Sequence, residues 1–214
     1  MSQICCLQQL EIEELNGGRV LTLELQMNAG EIVCLHGPPG TGKSLILQAL
    51  MGFVPIKAGV AELLGENVSS LFYDDLMRLR GHVGYSCIHA PPVSNLTVEQ
   101  NIEVPLCMHG VDLQQSRERT REILREFNIE SKAKLRLASL TAQEKHLLSI
   151  ARAFAMPVDF FILGEPFRAM SSDLIALVEA AMLHRCEANK SILFCTDKPE
   201  FARRSGARIV EMTS

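Results

Sequence analysis

The chain has no surplus of positive charge. Its 21 Lys and Arg stand against 25 Asp and Glu, a formal net charge of −4. A basic track along a phosphodiester backbone is not expected, which argues against nucleic acid as the main partner. Long uncharged apolar runs are also missing, and a membrane span needs about 18 such residues or more. Residues 147–163 come nearest, but Arg152, Pro157 and Asp159 interrupt them. The start, Met1-Ser2-Gln3-Ile4-Cys5-Cys6, has neither a basic opening nor a long apolar run, so no signal peptide is expected. The 7 cysteines are odd in number and scattered, without metal-ligand spacing. They read as reduced thiols, several of them core residues. The 6 histidines form no ligand pattern either. No internal repeat or low-complexity tract is apparent.

What is present is one dense motif. Gly37-Pro38-Pro39-Gly40-Thr41-Gly42-Lys43-Ser44 spells a phosphate-binding loop: Gly, four residues, then Gly-Lys-Ser. The preceding run, residues 31–36, reads as a buried strand. The following run, from Leu45 to Leu50, reads as a helix start. Strand, loop and helix together are the context this motif requires. Its glycines let the backbone curl until several N–H groups face one phosphate. Lys43 can reach the β- and γ-phosphates, and Ser44 can offer a hydroxyl to magnesium. A nucleoside triphosphate, with Mg²⁺, is the expected ligand, held by residues Gly37 through Leu45.

The rest of the chain reads as α/β. With 214 residues, 47% hydrophobic and 21% charged, it is sized for one compact domain or a core with a modest insertion. Residues 4–25 alternate in pieces around Asn16-Gly17-Gly18, a hairpin or meander. A short strand and turn follow over residues 59–65, a helix over 70–80 and a strand over 82–87. Residues 90–95 form a loop, and Thr97 opens a short helix. Residues 112–127 are a charged helix whose face reads as solvated surface. Residues 140–156 form a longer helix. Strands are expected at 158–163, 191–196 and 207–212, with a helix over 172–187. About 88–150 therefore reads as a helical insertion in a core made of about 1–87 and 151–214.

This order of parts resembles the ATP-binding subunit of an ABC transporter, over nearly the whole length. Leu79-Arg80-Gly81-His82-Val83-Gly84-Tyr85 resembles the strand entering that family's glutamine loop. Leu96-Thr97-Val98-Glu99-Gln100-Asn101-Ile102 resembles the segment after it. Ser149-Ile150-Ala151-Arg152-Ala153-Phe154 is similar to the body of the signature helix, and Glu165-Pro166-Phe167 to the stretch with the catalytic glutamate. The resemblance implies a P-loop core with an N-terminal antiparallel region and a helical subdomain. It implies binding of ATP and Mg²⁺, with Glu165 as the candidate general base. It also implies a place on the cytoplasmic face of a membrane, beside permease subunits, in a homodimer or in a heterodimer with an intact cassette.

The departures fall where the family places chemistry. The Leu-Ser-Gly-Gly-Gln signature corresponds to Leu140-Thr141-Ala142-Gln143-Glu144. Thr141 with Glu144 three residues on is also a capping box, which would close that helix end. The Walker B aspartate position falls on Gly164, and the glutamine-loop position on Ile88. The switch histidine falls on Asp197, and the D-loop aspartate on Ser171. No aromatic residue stands near residues 15–19, where the family stacks adenine. Loss of one transition-state group commonly costs about two to three orders of magnitude in rate. Hydrolysis is expected to be slow or partner-dependent, with binding better preserved and the magnesium requirement weakened. Two other readings stand beside this. One is a non-catalytic scaffold or regulator on a membrane complex. The other is an active ATPase using Asp159, Asp197 or Asp173 as substitute carboxylates.

Overall fold

The computed structural model describes residues 3–14 and 17–212, with side chains outside residues 13–22. The chain opens with an antiparallel hairpin, β1 (Gln3–Glu14) and β2 (Gly17–Asn28), in which Glu14 pairs with Gly17. The expected hairpin is thus present. Asn16 of its turn signal, and Leu15 of the segment without aromatics, lie outside the described residues. Then follow β3 (Ile32–His36), α1 (Lys43–Leu50), β4 (Ile56–Leu63), β5 (Glu66–Asn67), α2 (Tyr73–Gly81) and β6 (Val83–Ser86). The middle holds α3 (Val98–Met108), α4 (Leu113–Glu126) and α5 (Ala142–Ala155). The chain closes with β7 (Phe160–Gly164), α6 (Ser172–Glu187), β8 (Ser191–Thr196), α7 (Pro199–Arg204) and β9 (Arg208–Glu211).

Two sheets result. One is antiparallel, in the order β2-β1-β4-β5; the other has the order β6-β7-β8-β3-β9, with every pairing parallel. A parallel sheet needs cover on both faces, and its strands read as continuous apolar runs. Every residue of β7 and β8 is buried, as that rule requires. Successive side chains alternate between two hydrophobic clusters. Phe161, Leu163, Ile192 and Phe194 join α3, α4, α5 and α6 on one face. Phe160, Ile162, Leu193 and Cys195 join α1 and the antiparallel sheet on the other. Burying one such large side chain stabilises by roughly 1.5–3 kcal/mol, so the two clusters fix the sheet between its layers.

Local chemistry sets the helix starts. The Thr97 hydroxyl accepts from Gln100 N at 3.3 Å, while Gln100 Oε1 accepts from Thr97 N at 3.0 Å, a full capping box on α3. Asp112 accepts from the N–H groups of Gln114 and Gln115 and so starts α4. α3 is longer than the short helix expected, at 11 residues.

The charged helix α4 also departs from expectation, because part of its charge turns inward. Arg119 donates to the Phe154 carbonyl at 3.1 Å. Glu126 takes both ends of the buried Arg185 guanidinium, which lies over the Phe154 ring at 4.5 Å. Burial works against ionisation of Glu126, but the hydrogen bonds and charge of Arg185 outweigh it and hold its carboxyl below the usual range. The six-residue α7 has no counterpart in the sequence expectations. Its Phe201 and Ala202 are buried.

Candidate phosphate-binding site

The carboxyl end of β3 delivers the chain into the loop, the crevice position where open α/β sheets bind ligands. His36 is held from two sides: its ring Nδ1 lies 3.2 Å from the Thr196 carbonyl, and its own carbonyl accepts from Met212 N at 2.7 Å. Gly37 follows in a space with no room for a side chain. A Cβ there would stand 2.4 Å from the Met212 carbonyl oxygen. The Pro38 carbonyl then accepts from both Thr41 N and Thr41 Oγ1, at 3.4 and 3.0 Å, which closes the turn. Gly40 and Gly42 take φ of +86° and +89°, a region costly to other residues. Pro38, Pro39 and Gly40 are exposed and Thr41 is buried.

Helix α1 starts on Gly42 with no side-chain cap. A helix start leaves backbone N–H groups without intrahelical partners, and their partial positive charge favours an anion. Lys43, only 5% exposed, curls over its own loop and donates to the carbonyls of Gly37 and Pro38 at 2.6 and 2.9 Å. No carboxylate pairs with it among the described residues. A buried ammonium held only by carbonyls retains its attraction for a phosphate. Ser44 and Leu45 are half-buried on the first turn of α1.

Glu165 stands just beyond β7, in the same electrostatic neighbourhood as Lys43. Its φ is +50°, a strained value for a non-glycine residue. Burial pushes its carboxyl above the usual carboxylate range, and the Asp197 charge adds to this, while Lys43 and Arg168 oppose it. The structure thus brings Glu165, Lys43 and Asp197 together, with Asp197 exposed just past β8.

Gly164 is buried at the end of β7 and pairs with Cys195. By alternation it faces the α1 side. The Cys87 side chain leans over it: a Cβ at 164 would stand 3.2 Å from Cys87 Sγ and 3.3 Å from Cys87 Cβ. Burial pushes the neighbouring Cys195 thiol up to about 12, so it stays protonated. Ile88, next to Cys87, is 63% exposed and offers no donor atom. Magnesium demands hard oxygen ligands in near-octahedral geometry. Thiols around Gly164 and an isoleucine at 88 are a poor match for it.

Of the three candidate substitute carboxylates, only Asp197 is near. Asp159 precedes β7, at the far end of that strand from Glu165, and pairs with Lys190. Six residue steps along the strand put it roughly 20 Å away along the sheet. Asp173 lies in the first turn of α6 and lines a concavity with Lys132 and Glu144, away from the loop.

The start of α5 is closed. Thr141 Oγ1 accepts from Glu144 N at 3.3 Å, and Glu144 Oε2 accepts from Thr141 N at 2.7 Å, so the expected capping box is present. The other Glu144 oxygen takes the Lys132 ammonium. Gln143 Oε1 accepts from Ser171 N at 3.3 Å, which ties this helix start to the start of α6. The parts played by Cys87 and Lys132 carry no sequence signal; both come from chain segments distant from their partners.

Comparison with known proteins agrees with this architecture. Residues 20–168 match the ABC transporter family. The macrolide export ATP-binding/permease protein MacB of Escherichia coli is 28% identical over 203 residues, which is 94% of this chain but 30% of that protein. The chain thus spans about a third of the length of these relatives. An uncharacterized ABC transporter ATP-binding protein of Rhizobium meliloti is 32% identical over 162 residues, covering 76% of this chain and 59% of that one. Among solved structures, a dimeric ATP-binding cassette in a post-hydrolysis state with ADP and Pi superposes with a TM-score of 0.87 at 21% identity, over 98% of this chain and 94% of that one. A dimeric bacterial ABC transporter cassette gives 0.88 at the same identity and coverage. The two-sheet α/β fold, the phosphate loop and the match over most of the sequence lead to one conclusion: the chain belongs to the ABC transporter family, as an ATP-binding cassette.

Proposed function

We propose that this cassette binds ATP through Gly37 to Ser44 and Leu45, and that its own site hydrolyses ATP slowly or only with a partner. The observation that carries this is the contrast between the uncapped start of α1, with Lys43 folded over it, and the thiol-covered Gly164 at the metal side. Backbone N–H groups and one lysine are enough for a ground-state grip on a triphosphate. Glu165 remains the candidate base, its raised affinity for a proton suiting that role. With Gly164 and Ile88 supplying no oxygen, magnesium contributes less to binding than an aspartate and a glutamine would allow.

The closed start of α5 supports a division of labour. A helix end capped by Thr141 and Glu144, and tied to Ser171 by Gln143, is poorly prepared to receive a phosphate from a second cassette. We infer pairing with a second cassette whose own helix start is open, in preference to a homodimer. A membrane permease component is the other proposed partner. It would meet the face beside residues 88–96 and α3, where Ile88, Val93 and Met108 are exposed. The core would then comprise about 1–87 and 151–214, with about 88–150 as the helical part that moves against it.

The test is nucleotide binding by the purified chain. Lys43→Ala is expected to weaken ATP by about 1.5–3 kcal/mol, the strength of a charge-assisted hydrogen bond, measured by calorimetry. Unchanged affinity would overturn the reading. Turnover of the isolated chain is expected below about one per second, at the low end for enzymes.

A further inference from the structure

We propose that Cys87 and Cys195 form an oxidative modification site, at which a peroxide joins them as a disulfide across Gly164 and locks the metal side of the nucleotide site. The consequence for the nucleotide rests on the function proposed above; the bond itself does not.

Two sulfurs border one glycine. Cys87 leaves the end of β6 and crosses over Gly164, so that a Cβ at 164 would stand 3.2 Å from its Sγ, 3.3 Å from its Cβ and 3.4 Å from its Cα. Cys195 pairs with Gly164 from β8, on the other side of β7. Its sulfur meets the backbone N–H of Glu165, the residue joined to Gly164. Cys195 packs on the α1 side of the sheet, the face toward which a Cβ at 164 would point. Cys34 packs on the opposite face and is not placed to compete. A disulfide brings its two Cβ atoms to about 3.5–4.5 Å, and a glycine at 164 leaves that gap free of side-chain atoms.

The two thiols divide the chemistry. Cys195 is fully buried, whereas Cys87 lines the cavity beside Ile88 and Pro91, where a small oxidant can enter. Peroxide therefore meets Cys87 first. The Cys87 sulfur takes one peroxide oxygen as a sulfenic acid, and one water leaves. The Cys195 sulfur then bonds to the Cys87 sulfur as the S–O bond breaks, and the hydroxyl departs as water with the Cys195 proton. Two electrons pass from the thiol pair to the peroxide, whose two oxygens end as two waters. Helices α3, α4, α5 and α6 and strand β7 lie between the two cysteines. A cross-link that closes so long a loop constrains the unfolded chain strongly. Locally the bond ties the loop that carries Ile88 to the strand that leads to Asp197, so both flanks of Glu165 are held in one arrangement.

The probe is hydrogen peroxide, added to the whole folded chain and followed by intact mass and peptide mapping under non-reducing conditions. The expected product has lost two hydrogens and yields one linked peptide pair, Cys87 with Cys195, which dithiothreitol separates. Its Tm should rise by several degrees, and neither Cys87→Ala nor Cys195→Ala should show the rise. Cys34→Ser should close the bond as wild type does. Gly164→Ala keeps both thiols but sets a methyl between them, and should slow closure at least tenfold. Thiols that survive peroxide in the folded chain, a linked pair joining either cysteine to a different one, or closure at the wild-type rate in Gly164→Ala would each overturn the proposal. ATP affinity of the reduced chain is measured alongside. Its absence would defeat the nucleotide reading and leave the result on the bond standing.

Discussion

Two helix starts in this molecule solve the same physical problem in opposite ways. Each leaves backbone N–H groups that need acceptors. At α5 the chain supplies them itself, through Thr141 and Glu144. At α1 it supplies none from a side chain and adds an ammonium beside the gap. A capped start is worth about 1 kcal/mol to the fold, so an uncapped one forgoes that contribution unless a ligand restores it. The first helix start is therefore built for an external anion and the second for internal stability. The proposed pairing with an unlike cassette rests on that asymmetry.

The largest blow to the comparison should come from Gly37→Ala. The new methyl would stand 2.4 Å from the Met212 carbonyl oxygen, a backbone atom anchored by its own N–H to His36. Overpacking of this kind costs about 1–3 kcal/mol. Chemical denaturation should show that loss, and ATP binding should fall with it as the loop shifts. Thr141→Ala attacks the other helix start. It removes the cap on α5 and should cost about 0.5–2 kcal/mol, read from the denaturation midpoint, with ATP affinity unchanged. If Thr141→Ala lowered ATP affinity as Gly37→Ala does, the two ends would not be separate devices.

Gly164→Asp sharpens the contrast on the metal side. An aspartate Cβ would press on Cys87 at 3.2–3.4 Å, so the single variant should gain little. Combined with Cys87→Ala, which clears that space, it should make ATP binding several-fold more dependent on magnesium. The difference in ATP affinity with and without the ion, measured for single and double variants, decides the point. Equal magnesium dependence in both variants would show that Cys87 does not govern the space at 164.

What could be read in advance divides along the same line as these variants. The bounds of α6 and β8, the start of α3 at Thr97, the capping box of α5, and the strand–loop–helix around Lys43 depend on residues within a few positions of one another. Turn glycines, cap spacing and apolar runs encode such features directly. The six-residue α7 lies below the length at which a helical period shows, and only Pro199 marks its start. The lean of Cys87 over Gly164, the grip of Lys132 on Glu144 and the tie from Gln143 to Ser171 join segments 12 to 77 residues apart. No local pattern announces them, because they are set by which strands and helices become neighbours. Arg119 and Glu126 teach the same lesson: on α4 they look like ordinary surface charge, and only the packing of α5 and α6 turns them inward.

The smallest effect, and the one that ties the two sides together, concerns Glu165. Burial, with the Asp197 charge added, leaves its folded-state proton affinity above that of the unfolded chain. The native state therefore holds the proton more tightly, and linkage fixes the sign. Whatever stability this carboxyl adds is fully present below its ordinary value of 4.5 and is lost as pH rises through the raised folded value. Glu165→Gln mimics the protonated form at every pH. Its Tm should match wild type in acid below that ordinary value and exceed it by a degree or so near neutrality. Lys43 is one of the two cations that oppose the upward shift. Lys43→Ala should therefore enlarge the neutral-pH gain from Glu165→Gln, and a thermal-melt double-mutant cycle measures that coupling. If the gain is the same with and without Lys43, the phosphate loop and the Glu165 flank are electrostatically independent. A larger gain would mean that the lysine of the open helix start also keeps the Glu165 carboxylate ionised, so that a triphosphate drawing Lys43 toward itself returns Glu165 toward its protonated form.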